Sequence, residues 1–158
     1  MGELSLAKKK ASQEDPLYHN RLVSQFINRV MKSGKKSVAQ KLIYNAFSSL
    51  SQKGEDPVET FQKAINNVSP KLEVRARRVG GASYQVPAEV SGRRKTSLAI
   101  RWLVKAANNR SNKEYHTFAA KLAAELIDAA KGEGEAIKKK ETTQKMAEAN
   151  KVFSHFRW

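Results

Sequence analysis

The chain has 158 residues, with 30 Lys or Arg against 15 Asp or Glu, and so carries a formal net charge of +15. The absence of Cys excludes disulfides, thiolate metal sites and Cys nucleophiles; no apolar run reaches the ~18 residues a membrane span needs, and no hydrophobic leader follows Met1. A hydrophobic content of 40% suffices for one core, so the excess charge belongs to a folded body whose self-repulsion a polyanion would neutralise. Nucleic acid is the usual one; the alternative is a soluble domain that is merely basic.

The charge is unevenly placed. Residues 1–41 carry a net +6, 42–74 a net −1, 75–113 a net +9 and 114–158 a net +1. Two basic blocks around a neutral stretch describe a body with basic faces rather than one disordered arm.

In chain order, residues 1–15 are polar and aperiodic, and predict an extended arm ending at Asp15-Pro16, since proline disfavours helix in the residue before it. Lys8, Lys9 and Lys10 lie on this arm. From Asn20, the spacing of Leu22, Val23, Phe26, Ile27, Val30 and Met31 predicts a helix that Gly34 stops. A second helix runs from about Lys36 to Gly54 and should bury Val38, Leu42, Ile43, Ala46, Phe47 and Leu50. Asp56-Pro57-Val58-Glu59 is a helix start, with Asp as cap and Pro at the first helical position. The third helix then buries Phe61, Ala64, Ile65 and Val68.

Residues 71–90 change period. Two β-prone runs around Gly80-Gly81 predict a hairpin at about 72–90, with a reach of about 25 Å. A fourth helix is predicted over 97–108 and a fifth over 114–130, with Phe118, Leu122, Leu126 and Ile127 inward. A sixth, over 135–152, has a weak apolar stripe and should be peripheral. The fold class is therefore mainly α: a single domain of about six helices (16–152) with a protruding two-stranded β-hairpin. A basic arm precedes it, and an aromatic and basic tail (153–158) ends the chain.

Candidate contacts with nucleic acid concentrate on the hairpin and the segment after it. Arg75, Arg77 and Arg78, with Arg93, Arg94 and Lys95, put cations at both ends of a short ribbon. Guanidinium forks pair bidentately with phosphate oxygens, and lysine adds a mobile point charge. Tyr84 can stack on an unpaired base or serve as a cross-strand packing partner. Gly34-Lys35-Lys36 lacks the P-loop arrangement and suits a helix start where Lys35 and Lys36 meet one backbone phosphate. Arg101, Arg110, Lys138 and Lys139 extend the basic set. In the tail, Phe153, Phe156 and Trp158 alternate with His155 and Arg157, a pattern that suits stacking with phosphate contact. Equally, the phenylalanines could anchor the tail to the core.

His19, His116 and His155 are far apart and have no metal-ligand spacing, and no motif joins them to Ser nucleophiles or paired carboxylates. The expectation is a protein that is no enzyme and holds no metal or cofactor.

Three ordered motifs resemble the bacterial-type small-subunit ribosomal protein seven family. The first runs through Asn20, Leu22, Phe26-Ile27, Gly34-Lys35-Lys36, Leu42-Ile43 and Ala46; the second is RRVGGASYQVP (77–87) followed by LAIRW (98–102); the third runs from KKKE (138–141) through MAEANK (146–151) to HFRW (155–158). Gln144-Lys145 departs from the usual His-Arg, and Ser154 from the usual Ala. The resemblance implies binding to the 3′ major domain of small-subunit rRNA, with nucleation of head assembly. It also implies a place near the exit-site tRNA and the messenger path, beside other head proteins. It carries RNA contact to the segments 75–85 and 93–101. The ribosome would be that of a bacterial cytoplasm, a plastid or a mitochondrion. The rival readings are a basic DNA-binding or architectural protein and an RNA-processing enzyme.

Overall fold

The computed structural model describes residues 13–156. Among them are six α-helices: α1 (Arg21–Val30), α2 (Lys36–Gln52), α3 (Pro57–Val68), α4 (Gly92–Asn109), α5 (Phe118–Ala130) and α6 (Glu135–Ala149). The strands β1 (Leu72–Val79) and β2 (Ala82–Glu89) stand between α3 and α4, and a 3-10 helix (Lys151–Phe156) comes after α6. No helix among the described residues is long and apolar enough to cross a membrane. The expected fold class is the observed one.

Caps set several boundaries. Asn20 accepts from the Leu22 amide at 2.8 Å and opens α1. Asp56 accepts from the Glu59 amide at 2.9 Å and, with Pro57 at the first position, opens α3. Asp15 does more than end an arm. Only 2% exposed, it accepts from the amides of Leu17 and Tyr18 and from the Tyr44 hydroxyl at 2.7 Å, which ties the chain entry to α2.

The core is aromatic at one end and small-residue at its centre. Phe26 stacks on Phe61 at 4.8 Å between ring centroids, and Phe47 sits 5.7 Å from Phe61; all three are fully buried. Helix α5 buries Ala119, Leu122, Ala123, Ala124, Leu126 and Ala129 and packs against α2, α3, α4 and α6. Apolar nearly all round, it is a central helix, not one lying on the surface with a single inward face. Its alanines let neighbouring helices approach closely. Glu125 on the same helix is 0% exposed and is the largest departure from the apolar pattern.

Several details differ from the sequence expectation: α5 begins at Phe118, capped by Thr117, rather than at 114, α6 ends at Ala149 rather than 152, and Leu42, Phe118 and Ile127 are only half-buried. Val38 is 51% exposed, and Ala39 takes its inward place, because the buried stripe of α2 runs Ala39, Ile43, Ala46, Phe47 and Leu50. Helix α4 begins at Gly92, five residues before the start expected at Ser97, so the Arg93-Arg94-Lys95 triplet is its first turn rather than a ribbon end.

The hairpin register pairs Arg75 with Val86, Arg77 with Tyr84 and Arg78 with Ser83. Gly80 and Gly81, at φ +58° and +83°, make the two-residue turn; positive φ at both central positions is the type I′ geometry that follows strand twist. Helix α6 lies against β1, and the 3-10 helix lies against β2. The ribbon is therefore braced along part of its length by the C-terminal elements, while Gly80 through Ser83 remain exposed at the tip.

Candidate nucleic-acid interface

Strand alternation sorts the ribbon cations by face. Glu73, Arg75 and Arg77 share one face with Val86 and Tyr84, whereas Arg78 lies on the other face with Ser83. Arg75 and Arg78 are exposed and Arg77 is half-buried.

The second basic segment joins the first through one carboxylate. Glu73, 6% exposed, accepts from Arg75 Nε at 2.8 Å on Oε1 and from Arg94 Nε at 2.8 Å on both Oε1 and Oε2. Arg75 Nη2 adds a contact at 2.7 Å. The base of β1 and the first turn of α4 are thus side by side, and the two cation groups form one surface. Burial pushes the Glu73 carboxyl up, but the hydrogen bonds and charges of Arg94 and Arg75 outweigh it and hold the group below its ordinary value.

The first turn of α4 is electrostatically unusual. Three cations stand at the positive end of the helix dipole, no acidic residue shares that turn, and the Ser91 side chain makes no capping bond. Each exposed cation there is disfavoured by roughly 0.3–1 kcal/mol, a cost that a bound anion would reverse. Further along, Arg101 and Lys105 fall on the same outward stripe as Arg94, at seven and eleven residues' separation, and both are exposed. Together these cations form a basic strip running from the ribbon base along α4.

Other expected contacts lie elsewhere. Lys35 occupies the cap position of α2 without a side-chain capping bond, and Lys36 begins the helix; both are exposed. Lys35 also lines a cleft of about 300 Å³ with Val30, Val38, Phe118, Arg29 and Lys32. Lys138 and Lys139 are exposed on α6. Their neighbour Lys140 turns inward and donates to the Asn67 carbonyl at 2.7 Å. Lys8, Lys9, Lys10 and Arg157 lie outside the described residues.

Arg110 stands apart from the expected interface. At the C-cap of α4, it donates to Glu125 through Nε at 2.8 Å and Nη2 at 2.7 Å, and also to Asp128; its side chain is 17% exposed. Burial works against its charge, but the hydrogen bonds and charges of both carboxylates more than compensate and raise its pKa. This guanidinium is spent inside the fold, where it neutralises the buried Glu125.

Tyr84 also has intramolecular company. Its ring lies 5.3 Å from Phe153 and 5.0 Å from Phe156, which themselves stack at 6.4 Å. Of the two roles open to Tyr84, the geometry provides packing, and its ring partners are in the C-terminal turn. The two phenylalanines correspondingly anchor the tail to the ribbon instead of the helical core. His155 is exposed, with its ring 4.1 Å from that of Phe156.

Sequence reasoning overlooked Glu73, whose signal was its place two residues before Arg75 on one strand face. Lys105, which the sequence sets beside Arg101 on the charged edge of the fourth helix, joins the strip through the helical repeat from Arg94 and Arg101. Among the described residues no group of three or more His, Asp or Glu is placed to hold a metal ion.

A profile of the family described as ribosomal protein S7p/S5e matches residues 3–151. The chain belongs to that family. The small ribosomal subunit protein uS7 of Caldicellulosiruptor saccharolyticus is 54% identical over 152 residues, 96% of each chain. Its namesake from a Thermoanaerobacter species is 58% identical over 145 residues (91% of each chain), and that of Moorella thermoacetica 56% over 151 (95% of each). The resemblance read from the three motifs is borne out, and these relatives are bacterial ribosomal proteins rather than enzymes. Within this S7p/S5e-family fold, the basic surface lies on the ribbon and α4, while the aromatic and small-residue core behind it is devoted to packing.

Proposed function

We propose that the protein is a structural constituent of the small ribosomal subunit in the cytoplasmic ribosome of a bacterium, and that its ribbon and α4 bind the 3′ major domain of the small-subunit rRNA. The observation that carries the reading is the junction at Glu73, which sets Arg75 of β1 beside Arg94 of α4 and makes one basic surface of two segments. RNA duplexes hide their base edges in a deep, narrow groove, so recognition works through backbone, shape and unpaired loops. A rigid helical body with a thin ribbon and a long basic strip suits that task by touching several RNA elements at once. In this reading the protein nucleates the subunit head beside neighbouring head proteins, near the exit-site tRNA and the messenger path. Lys35, Lys36, Lys138 and Lys139 supply secondary phosphate contacts.

Hydroxyl-radical footprinting on small-subunit rRNA tests the proposal. Protection confined to the 3′ major domain is the expected outcome; protection elsewhere, or displacement by duplex DNA at equal concentration, would refute it. Replacing both arginines, Arg77→Ala with Arg78→Ala, should weaken binding and flatten its log–log salt dependence by roughly one to two units. An unchanged slope would remove the ribbon from the interface.

A further inference from the structure

We infer that Glu73 is a positioning residue for RNA recognition: it fixes the guanidinium groups of Arg75 and Arg94 in the relative geometry that a specific phosphate array requires. The inference rests on the functional reading above. An acidic side chain in an interface built for a polyanion should, by charge alone, weaken binding. Glu73 nevertheless sits at the meeting point of the two basic segments, almost wholly buried, with its oxygens spent on both arginines. Its neighbours account for its position. Cross-strand Ala88 is small enough to leave room beside it, and Leu72 and Val74 on either side of it in the chain are both half-buried.

The geometry has two consequences. A free arginine side chain samples many rotamers, and binding must freeze them at a cost of ~0.5–1.5 kcal/mol each. Two arginines already held by one carboxylate present their remaining N–H groups in a fixed arrangement. The second consequence concerns the ribbon itself. A two-stranded ribbon is marginal alone; besides the bracing by α6 and the 3-10 helix, a link of 2.8 Å between Glu73 of β1 and Arg94 of α4 ties its base to the helical body. Glu73 therefore lowers general attraction for polyanions while raising the advantage of the correctly shaped RNA.

Charge and positioning predict opposite results for Glu73→Gln. The test compares filter binding of the full-length protein to an rRNA 3′ major-domain fragment and to poly(U) across salt, with folding monitored by circular dichroism. Positioning predicts that affinity for the fragment falls about tenfold, the scale of one well-placed hydrogen bond to a charged group. Its salt slope should shrink by roughly one unit while poly(U) binding holds or rises. A rise in affinity for both RNAs, or an unchanged ratio between them, overturns the inference. Should Glu73→Gln fail to fold, Arg94→Lys decides. It keeps the charge but loses the Nε fork, so the ratio should fall in the same way, and a retained ratio overturns the inference. If the unaltered protein does not prefer the fragment over poly(U), the functional reading fails and this inference falls with it. If it prefers the fragment and the variant keeps that preference, only the positioning role is lost.

Discussion

Arg110 offers the sharpest separation of a structural cation from an RNA-binding one. Arg110→Ala would leave Glu125 buried, 1% exposed at its side chain, with the Ala136 amide as a remaining donor at 3.1 Å but without its cation. Breaking a buried pair from one side costs ~3–5 kcal/mol. Asp128, 37% exposed at its side chain, can recover water, so the loss should lie at the lower end, about 3 kcal/mol. For a domain of this size that corresponds to a fall in melting temperature of about 6–12 °C. Thermal unfolding followed by circular dichroism at neutral pH reads it directly. The double variant Arg110→Met with Glu125→Gln removes both charges, and its amide carbonyl can still accept from Ala136. It should recover at least half of the loss, because the penalty arises from an unpaired charge and not from the missing contact alone. A melting temperature lowered by less than about 2 °C, together with weakened RNA binding, would refute this reasoning and return Arg110 to the interface.

The aromatic residues supply two more tests. Burial and the hydrogen bond Tyr44 donates to Asp15 push its phenol up to about 12. The folded state thus favours the protonated phenol, and its contribution is fully present below the unfolded value and lost as pH rises through the folded one. The urea midpoint advantage of the native protein over Tyr44→Phe should shrink between pH 9 and 12; a constant difference would contradict it. Tyr84→Ala removes two aromatic contacts worth ~0.5–1.5 kcal/mol each, so hydrogen exchange at residues 152–156 should accelerate at least about fivefold. Unchanged exchange with weaker RNA binding would instead make Tyr84 a base-stacking residue.

Much of the fold was legible because local physics agreed with tertiary context. Asp56-Pro57 opens α3 where the cap chemistry says it should, and Gly80-Gly81 turns the ribbon with the φ values that glycine permits. The start of α4 was missed because Arg93, Arg94 and Lys95 carry no apolar periodicity and contradict the dipole preference, so no local signal marks them as helical. The site divided along the same line. That arginines cluster on the ribbon and α4 is a matter of one-dimensional charge counting. Which of them is held by a carboxylate of the fold depends on partners distant in sequence: Arg94 shares Glu73 with Arg75 and stays on the surface, whereas Arg110 is spent on Glu125 and Asp128. Val38 shows the converse: an apolar residue at plausible helical spacing is 51% exposed, on the rim of the cleft it shares with Val30 and Phe118, while Ala39 takes the inward place.

The docking of the C-terminal turn on the ribbon also has a temporal meaning. Tyr84 is joined to the growing chain roughly seventy residues before Phe153 and Phe156, its ring partners. At ~5–20 residues per second, that is an interval of about 3–14 s. During it the hairpin must persist on its own turn chemistry and its attachment to the helices already made. Residues 151–156 then dock on β2, so the ribbon is fully braced only after the segment that carries Phe153 and Phe156 has been made.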